Sequence, residues 1–494
     1  MLANSRLPPH PGLLMASVMV ATVMYAMDTT IANIVLPHLQ GSLQASQDQI
    51  AWVLTSYIVT SAIFTPLLSP MANRWSLARV LLGSIVLFTV ASLLCGMART
   101  LPEMVAFRML QGASGAALIP LSQSILLNAF PRERHTAVLA VWGIGVMIGP
   151  ILGPTLGGYL TDQFNWRWVF LINLPIGILA LIGIAATVPR ERPHAPRRFD
   201  ALGYVLIAVS IGALQLFLDR GNVKDWFHST EVVAEAGLSA LFLYLFVAHS
   251  MTARHPFYTP GLFRDRNFVL GSLLVGTVLV GVFATMALMP IFLQSLQGYT
   301  VYEAGLLLAP RGVGMAITSF LVSKVLHRHH PRFVITAGIV MSAISTWWVG
   351  SFNLEVSWEP VVASGVLQGL GIGLIIAPLM AATFSTLDEK LRVEATALYA
   401  VLRNLGGSIG ISLGFTILTR STQANNARLV EHMSVLDVEK WALVRSLFGP
   451  HAEAIVAREI TRQAAMLGFI KDMHVLFLIT LAGIPLVFLM RRTE

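Results

Sequence analysis

The 494-residue chain is poor in charge: Asp, Glu, Lys and Arg make up 12% of it, where a soluble domain carries about 25%. With 55% hydrophobic residues, that scarcity excludes a water-soluble globular protein and leaves an integral membrane protein. Cysteine is nearly absent. Cys95 is the only one, so no intramolecular disulfide can form, and its place inside an apolar run argues against redox chemistry. No Gly-Lys dipeptide occurs, hence no phosphate-binding loop and no ATP-driven pump. No HExxH occurs either, and the run HRHH (327–330) sits in a basic loop, so neither a metal site nor a cofactor is expected. The net charge of +8 lies mainly in short loops between apolar runs, where it orients a membrane protein instead of binding nucleic acid. One Arg precedes the first apolar run and no small-residue cleavage site follows it, so that run is read as retained.

What is present is a series of apolar runs of roughly 20 residues, the length that crosses a bilayer. Fourteen are expected: 13–36, 50–70, 79–98, 103–126, 136–160, 168–188, 201–219, 231–251, 268–294, 302–323, 333–352, 359–386, 395–419 and 474–490. An even number puts both termini on one side. The N-terminus, alternate loops and C-terminus hold nineteen Lys and Arg, whereas the short loops opposite hold Arg99, Arg167, Arg220 and Lys224. Segment 420–473 adds seven there, but long loops translocate largely regardless of charge. Both termini are therefore expected in the cytoplasm.

The chain also resembles itself. LQGASGAALIPL (110–121) in span 4 is matched by LQGLGIGLIIAPL (367–379) in span 12. Gly145, Gly149, Gly153 and Gly157 recur every four residues in span 5, as do Gly406, Gly410 and Gly414 in span 13. Spans 1–6 then answer to spans 9–14, with spans 7 and 8 inserted between. The expected architecture is an all-α polytopic protein of two six-helix halves: residues 1–188, an insertion at 189–267, and 268–494. Parallel six-helix repeats belong to one large transporter architecture, with its site at the midplane between halves.

Asp28 is the residue that points to function. The first span, LLMASVMVATVMYAMDTTIANIVL, contains one ionised side chain, and a carboxylate at that depth faces a cavity, a partner or a proton path. Arg108 lies six residues inside span 4 and Asp28 nine residues before Pro37. Both are about 10–15 Å below the outer surface at a 1.5 Å rise per residue. A pair formed there suits proton coupling: the carboxyl gives up its proton when the cation is close and takes one when the pair opens. The alternative is a permanent salt bridge that only fixes packing. Arg311 and Arg403 are also deep in spans, while Glu103, Glu303 and Glu394 lie near span ends and Asp28 is read as the only comparably deep acid. This excess of positive charge favours anionic or weakly acidic amphiphiles. Arg311, Arg403 and Gln111 are the candidate cavity residues, though Arg403 could equally snorkel or bond backbone carbonyls. In span 5, Gly145, Gly149, Gly153 and Gly157 allow close backbone contact, and Pro150 and Pro154 bend the helix. A pivot and a plain packing seam both remain open.

MDTTIANIVLP (27–37), FRMLQG (107–112), LIPLSQSILLN (118–128), GPILGPTLGGY (149–159), WRWVFLINLPIG (166–177) and LDRGNVKDWF (218–227) closely resemble the EmrB/QacA-type proton-coupled drug exporters. These are the fourteen-span branch of the major facilitator superfamily, and the resemblance covers essentially the whole chain. It implies that Asp28 belongs to the span 1 motif, Arg108 to the span 4 motif linked to proton transfer, and Gly149 and Pro150 to the span 5 antiporter motif. It further implies the inner membrane of a bacterium, lipophilic and often weakly acidic toxic substrates, and a periplasmic adaptor and an outer-membrane channel as partners. One motif departs. The loop after span 2, usually G-x-x-x-D-R-x-G-R-[KR], reads SPMANRWSLAR, with Asn73 at the acidic position, Ser69 and Ser76 at the glycines, and Arg74 and Arg79 kept. Its gating role is therefore in doubt. Segment 420–473 is too long for a simple connection, and amphipathic helices lying at the periplasmic face are expected, as an adaptor contact or an interfacial cap. Fold does not fix direction, so a proton-coupled carrier of a metabolite or nutrient is the alternative function, with a membrane enzyme more remote.

Overall fold

The computed structural model describes residues 10–45, 47–50, 52–131, 134–188, 199–326, 330–388, 391–431 and 451–491, and among them every regular element is a helix. The longer ones are α1 (Pro11–Ser42), α2 (Trp52–Phe64), α3 (Leu68–Trp75), α4 (Leu77–Met97), α5 (Leu101–Gly115), α6 (Leu118–Ala129), α7 (His135–Gln163), α8 (Asn173–Thr187), α9 (Ala201–Arg220) and α10 (Thr230–Thr252). They continue with α11 (Arg266–Ile291), α12 (Val301–Leu308), α13 (Pro310–Leu326), α14 (Pro331–Val349), α15 (Trp358–Phe384), α16 (Arg392–Glu431), α17 (Ala452–Leu481) and α18 (Ile484–Leu489). Local sequence sets many starts. Asp200 and Asp265 cap the first turns of α9 and α11, Thr300 and Glu303 form a capping box on α12, and prolines open α1, α5 and α14, where the missing N–H costs nothing.

Twelve helical segments of the described residues are long and apolar enough to cross a membrane. The two other expected spans, 136–160 and 302–323, coincide with α7 and with α12–α13.

The sequence repeat reappears as a repeat of packing. In the first half α1 lies on α7, α2 on α5, α4 on α5, α4 on α8, and α1 on α8. In the second half α11 lies on α16, α13 on α15, α14 on α15, α14 on α17, and α11 on α17. Between halves, α7 meets α13 and α15, while α16 meets α3 and α6, a two-fold exchange of equivalent helices. This is the two-half arrangement that the sequence repeat predicts. Glycines bring the backbones together: a Cβ on Gly149 would lie 2.5 Å from that of Ala26, and one on Gly406 2.7 Å from the Gly276 Cα.

The inserted pair α9–α10 is stapled by reciprocal Ser210 and Ser239 hydroxyl-to-carbonyl bonds of 3.0 Å and by Arg220 to Glu231 and Glu235 at 2.7 and 2.8 Å. Its connecting turn grips both halves. Thr55 of α2 donates to Asp219, and Arg220 stands 5.5 Å over the Trp52 ring. On the other side Trp226 donates to Thr416 at 3.1 Å, and Ser412 donates to the Leu218 carbonyl at 2.7 Å. The motif LDRGNVKDWF therefore ties α2 to α16.

Segment 420–473 corrects an expectation. Within the described residues it is not a loop with surface helices. α16 runs 40 residues to Glu431, and α17 begins at Ala452 and continues into span 14. At about 1.5 Å per residue α16 is roughly 60 Å long, about twice a hydrocarbon core. The two helices pair beyond it, with Asn426 donating to Thr461 at 3.1 Å. Residues 432–450 lie outside the described residues, as do 327–329 of the HRHH run.

Candidate functional site

Asp28 and Arg108 meet because small residues let three helices converge. Gly149 and Gly153 of α7 take the backbone of α1 around Ala26, Met27 and Thr30 into contact, which fixes α1 at Asp28. On the opposite side Gly112 lies directly against the Tyr57 carbonyl, drawing α5 onto α2. Arg108, one turn earlier, is thereby pressed between α1 and α2.

The resulting network is sealed from solvent, with Asp28 0% and Arg108 1% exposed. Arg108 Nη1 donates to Asp28 Oδ2 at 2.9 Å and to Gln111 Oε1 at 2.6 Å, and Nε donates to the Val53 carbonyl at 3.1 Å. Asp28 Oδ1 accepts from Gln111 Nε2 at 2.9 Å and from Asn173 Nδ2 at 2.8 Å. Ser92 Oγ accepts from the same two amides, at 2.6 and 3.2 Å. The guanidinium sits 4.2 Å from the Tyr57 ring centroid and 5.7 Å from that of Phe170. Cys95 donates to Gln111 Oε1 at 3.7 Å. Every hydrogen bond to Asp28 among the described residues comes from a donor, and the Arg108 guanidinium is its counter-charge. Protonation would remove the charge that compensates Arg108 and set the two helices free to rearrange.

The sequence reading found Asp28 and Arg108 but missed Asn173 and Ser92. Asn173 carried a usable signal, a lone amide in the apolar stretch INLPIG; Ser92 carried none. Gln111, expected in the cavity, is fully buried in this network.

Arg311 lies near the start of α13, 9% exposed, and neither its Nε nor its Nη2 has a hydrogen-bond partner. Met315, one turn on, reaches the position a Gly143 side chain would fill on α7, so this face of α13 borders the other half. Arg403 of α16 donates to Asn404 Oδ1 at 3.3 Å and lies within electrostatic reach of the Tyr25 and Tyr399 hydroxyls.

Along α7, a Cβ on Gly157 would fall 2.8 Å from Ile31 Cγ1, but one on Gly145 would come no nearer than 3.3 Å to Met19 and 3.6 Å to Val23 Cγ2. Pro150 and Pro154 fall within α7, their side chains outside the described residues. The expected loop after span 2 is helical but for Ser76: Asn73, half-buried, and Arg74, exposed, end α3, and Arg79, exposed, lies in the first turn of α4, without ion pairs among the described residues; Arg74 packs 5.9 Å over Trp75. Ser76 has φ 81° and ψ 151°, a conformation that glycine adopts far more readily.

A second correction concerns charge. Asp28 is not the only deep acid. Asp472, assigned by sequence to the external segment, lies inside α17 at 0% exposure with neither oxygen hydrogen-bonded.

Comparison with known proteins gives one consistent grouping. Residues 18–411 match the family model of the Major Facilitator Superfamily. The multidrug export protein EmrB of Escherichia coli (strain K12) is 33% identical over 454 residues, 90% of this chain and 89% of the relative. The fatty acid resistance protein FarB of Neisseria gonorrhoeae is 34% identical over 433 residues, covering 86% and 85%. The crystal structure of the human organic anion transporter MFSD10 superposes with TM-score 0.59 at 13% identity, covering 96% of this chain and all of that one.

Proposed function

The chain belongs to the major facilitator superfamily, as an EmrB-type multidrug transporter, and from that premise we propose that it exports lipophilic toxic compounds in exchange for protons. The observation that carries this reading is the sealed Asp28–Arg108–Gln111–Asn173 network. A proton arriving at Asp28 neutralises it, leaves Arg108 without its counter-charge and loosens α1 from α5; loss of the proton closes the network again. Proton occupancy thus selects between two helix arrangements, as an exchanger requires.

The substrate class follows from the arginines. Arg311 leaves two donors unused at a buried position beside the inter-half interface, and Arg403 has only neutral partners. An anionic headgroup would satisfy them. Fatty acid resistance, which the FarB name states of that relative, involves a compound of this kind: a lipophilic anion. The working division is 1–188 and 268–494 as transport halves around the insertion 189–267, with fourteen spans, both termini cytoplasmic, in a bacterial inner membrane. The paired outer ends of α16 and α17 would offer a surface for a periplasmic adaptor leading to an outer-membrane channel.

Uptake of a radiolabelled lipophilic weak acid into everted vesicles tests the reading. It should depend on expression of the chain and collapse with a protonophore. Uptake that survives loss of the proton gradient would reject proton exchange.

A further inference from the structure

Asp472 is a buried acid that the network around Asp28 does not use. It sits on α17, one turn inward of Phe469, whose ring stacks on Phe292 at 4.7 Å between centroids with a 13° interplanar angle. The surrounding cluster is apolar: Ala284, Leu288, Val349, Met473 and Leu476 among others. On the α16 side a Cβ at Gly414 would come 3.6 Å from Asp472 Oδ2, so the carboxyl lies beside the glycine seam that joins α16 to α11.

Ionisable groups from the packed helices do not reach it. α11 carries none beyond Arg266 at its far end, and α14 none beyond Arg332. On α16 the nearest are Arg403 and Arg420, the latter paired with Asp225 at 3.5 Å. On α17 itself Lys471 and His474 are exposed, and His474 bonds the Ile470 carbonyl of its own helix. Tyr299 packs at the cluster edge, while Glu303 and Glu359, at the starts of α12 and α15, are exposed. A carboxylate sealed here would have neither a counter-charge nor a donor, whereas the neutral acid is tolerated far more easily.

We propose that Asp472 is a second proton-binding site of the transport cycle, protonated in this conformation and ionised when the α11–α16–α17 seam opens to water. Each half then holds one titratable carboxyl beside its glycine seam, Asp28 by α1–α7 and Asp472 by α11–α16. The two stand in opposite surroundings: Asp28 among donors and Asp472 among hydrocarbon. Ionisation passes the Asp472 O–H proton to water entering the seam; reprotonation takes one back. The inference rests on the exchange reading above and adds a second coupled proton to it.

The test is the proton-to-substrate ratio, from reversal potentials in proteoliposomes of the wild type and Asp472→Asn. The variant should keep substrate binding and lose one proton per substrate. An unchanged ratio would overturn the inference, whereas a wild type without proton-coupled flux would overturn the exchange reading itself. Infrared difference spectra keep the inference testable should that variant fold poorly. The wild type should show a neutral carboxylic C=O band that falls on substrate binding and shifts in Asp472→Glu. A band unmoved by substrate and pH would mean the acid is permanently neutral and not part of the cycle.

Discussion

Replacing Asp28 by Asn removes the charge and keeps the size, and its effects on stability and on transport can be separated. Asp28 accepts three hydrogen bonds, from Arg108, Gln111 and Asn173, and Arg108 has no other acid within the sealed network. An amide cannot compensate the guanidinium, and its own N–H₂ would face other donors. Stranding a buried charge in this way costs about 3–5 kcal/mol, against a total stability of about 5–15 kcal/mol for a typical fold. Asp28→Asn should therefore unfold at clearly lower temperature in detergent as well as lose proton-driven efflux. In Asp28→Asn/Arg108→Gln both partners are neutral, so most of the lost stability should return while efflux stays absent. Cys95 offers a direct reading of the site, being the only cysteine and bonded to Gln111. Its alkylation should be slow in the wild type, fast in Asp28→Asn and slow again in the double variant. Transport in the double variant would refute Asp28 as the coupling residue. Full thermal stability of Asp28→Asn would refute the ion pair as the element that holds α1 to α5.

Three further substitutions probe other parts of the molecule. Gly149→Leu puts a side chain where even a Cβ is 2.5 Å from the Ala26 Cβ and 2.6 Å from the α1 backbone at Ala26 and Met27, well inside the ~3.5–4.0 Å of ordinary contact. It should cost about 1–3 kcal/mol or more and reduce efflux at matched expression, while Gly145→Ala, whose Cβ comes no nearer than 3.3 Å to the Met19 and Val23 side chains, should be tolerated. Arg311→Ala should lower resistance to lipophilic weak acids several-fold and leave quaternary ammonium compounds unaffected or favoured; equal loss of both, in growth-inhibition assays, would make the residue structural. Ser76→Gly should relieve about 1–3 kcal/mol of backbone strain and raise the unfolding temperature without changing transport, and a lower unfolding temperature would contradict the strain.

The parts of the fold readable from sequence were those with a long-range period. Apolar runs of constant length located the helices, and the glycines repeated every fourth residue located the seams, because both patterns are imposed by the bilayer and by close helix contact. Asp28 and Arg108 were legible for the same reason: a charge inside an apolar run stands out. Asp472 was missed by that very rule. Lys471, Asp472 and His474 set the apparent edge of span 14 at 474, yet α17 continues through them from Ala452, with Lys471 and His474 exposed and Asp472 turned into the protein. The outer parts of α16 and α17 were taken for a loop because their polar faces look like solvent-facing connection when each is read alone; only their pairing makes them a hairpin. Ser92 needed three dimensions, since a hydroxyl in an apolar helix shows its value only beside the amides it accepts from.

Two deep acids in place of one do not cancel the positive interior; they sharpen where it lies. Asp28 is committed to Arg108, and Asp472 has no arginine near it, so among the described residues Arg311 and Arg403 remain without acidic partners. On the proposed reading, substrate charge and proton charge occupy different places, so direct competition for one site does not couple them. The contacts supply another route. Asp28 sits on α1, which is locked to α7 through Gly149 and Gly153, and α7 in turn packs on α13, where Met315 follows Arg311 by one turn. A change in the α1–α5 link therefore bears on the helix that carries the free guanidinium. By reciprocity an anion drawing Arg311 toward itself must bias the proton affinity of Asp28 by the same free energy. On the proposed reading, coupling runs through the α1–α7–α13 stack, whose α1–α7 contact is set by Gly149 and Gly153, and the charges at its two ends are what the stack makes exclusive.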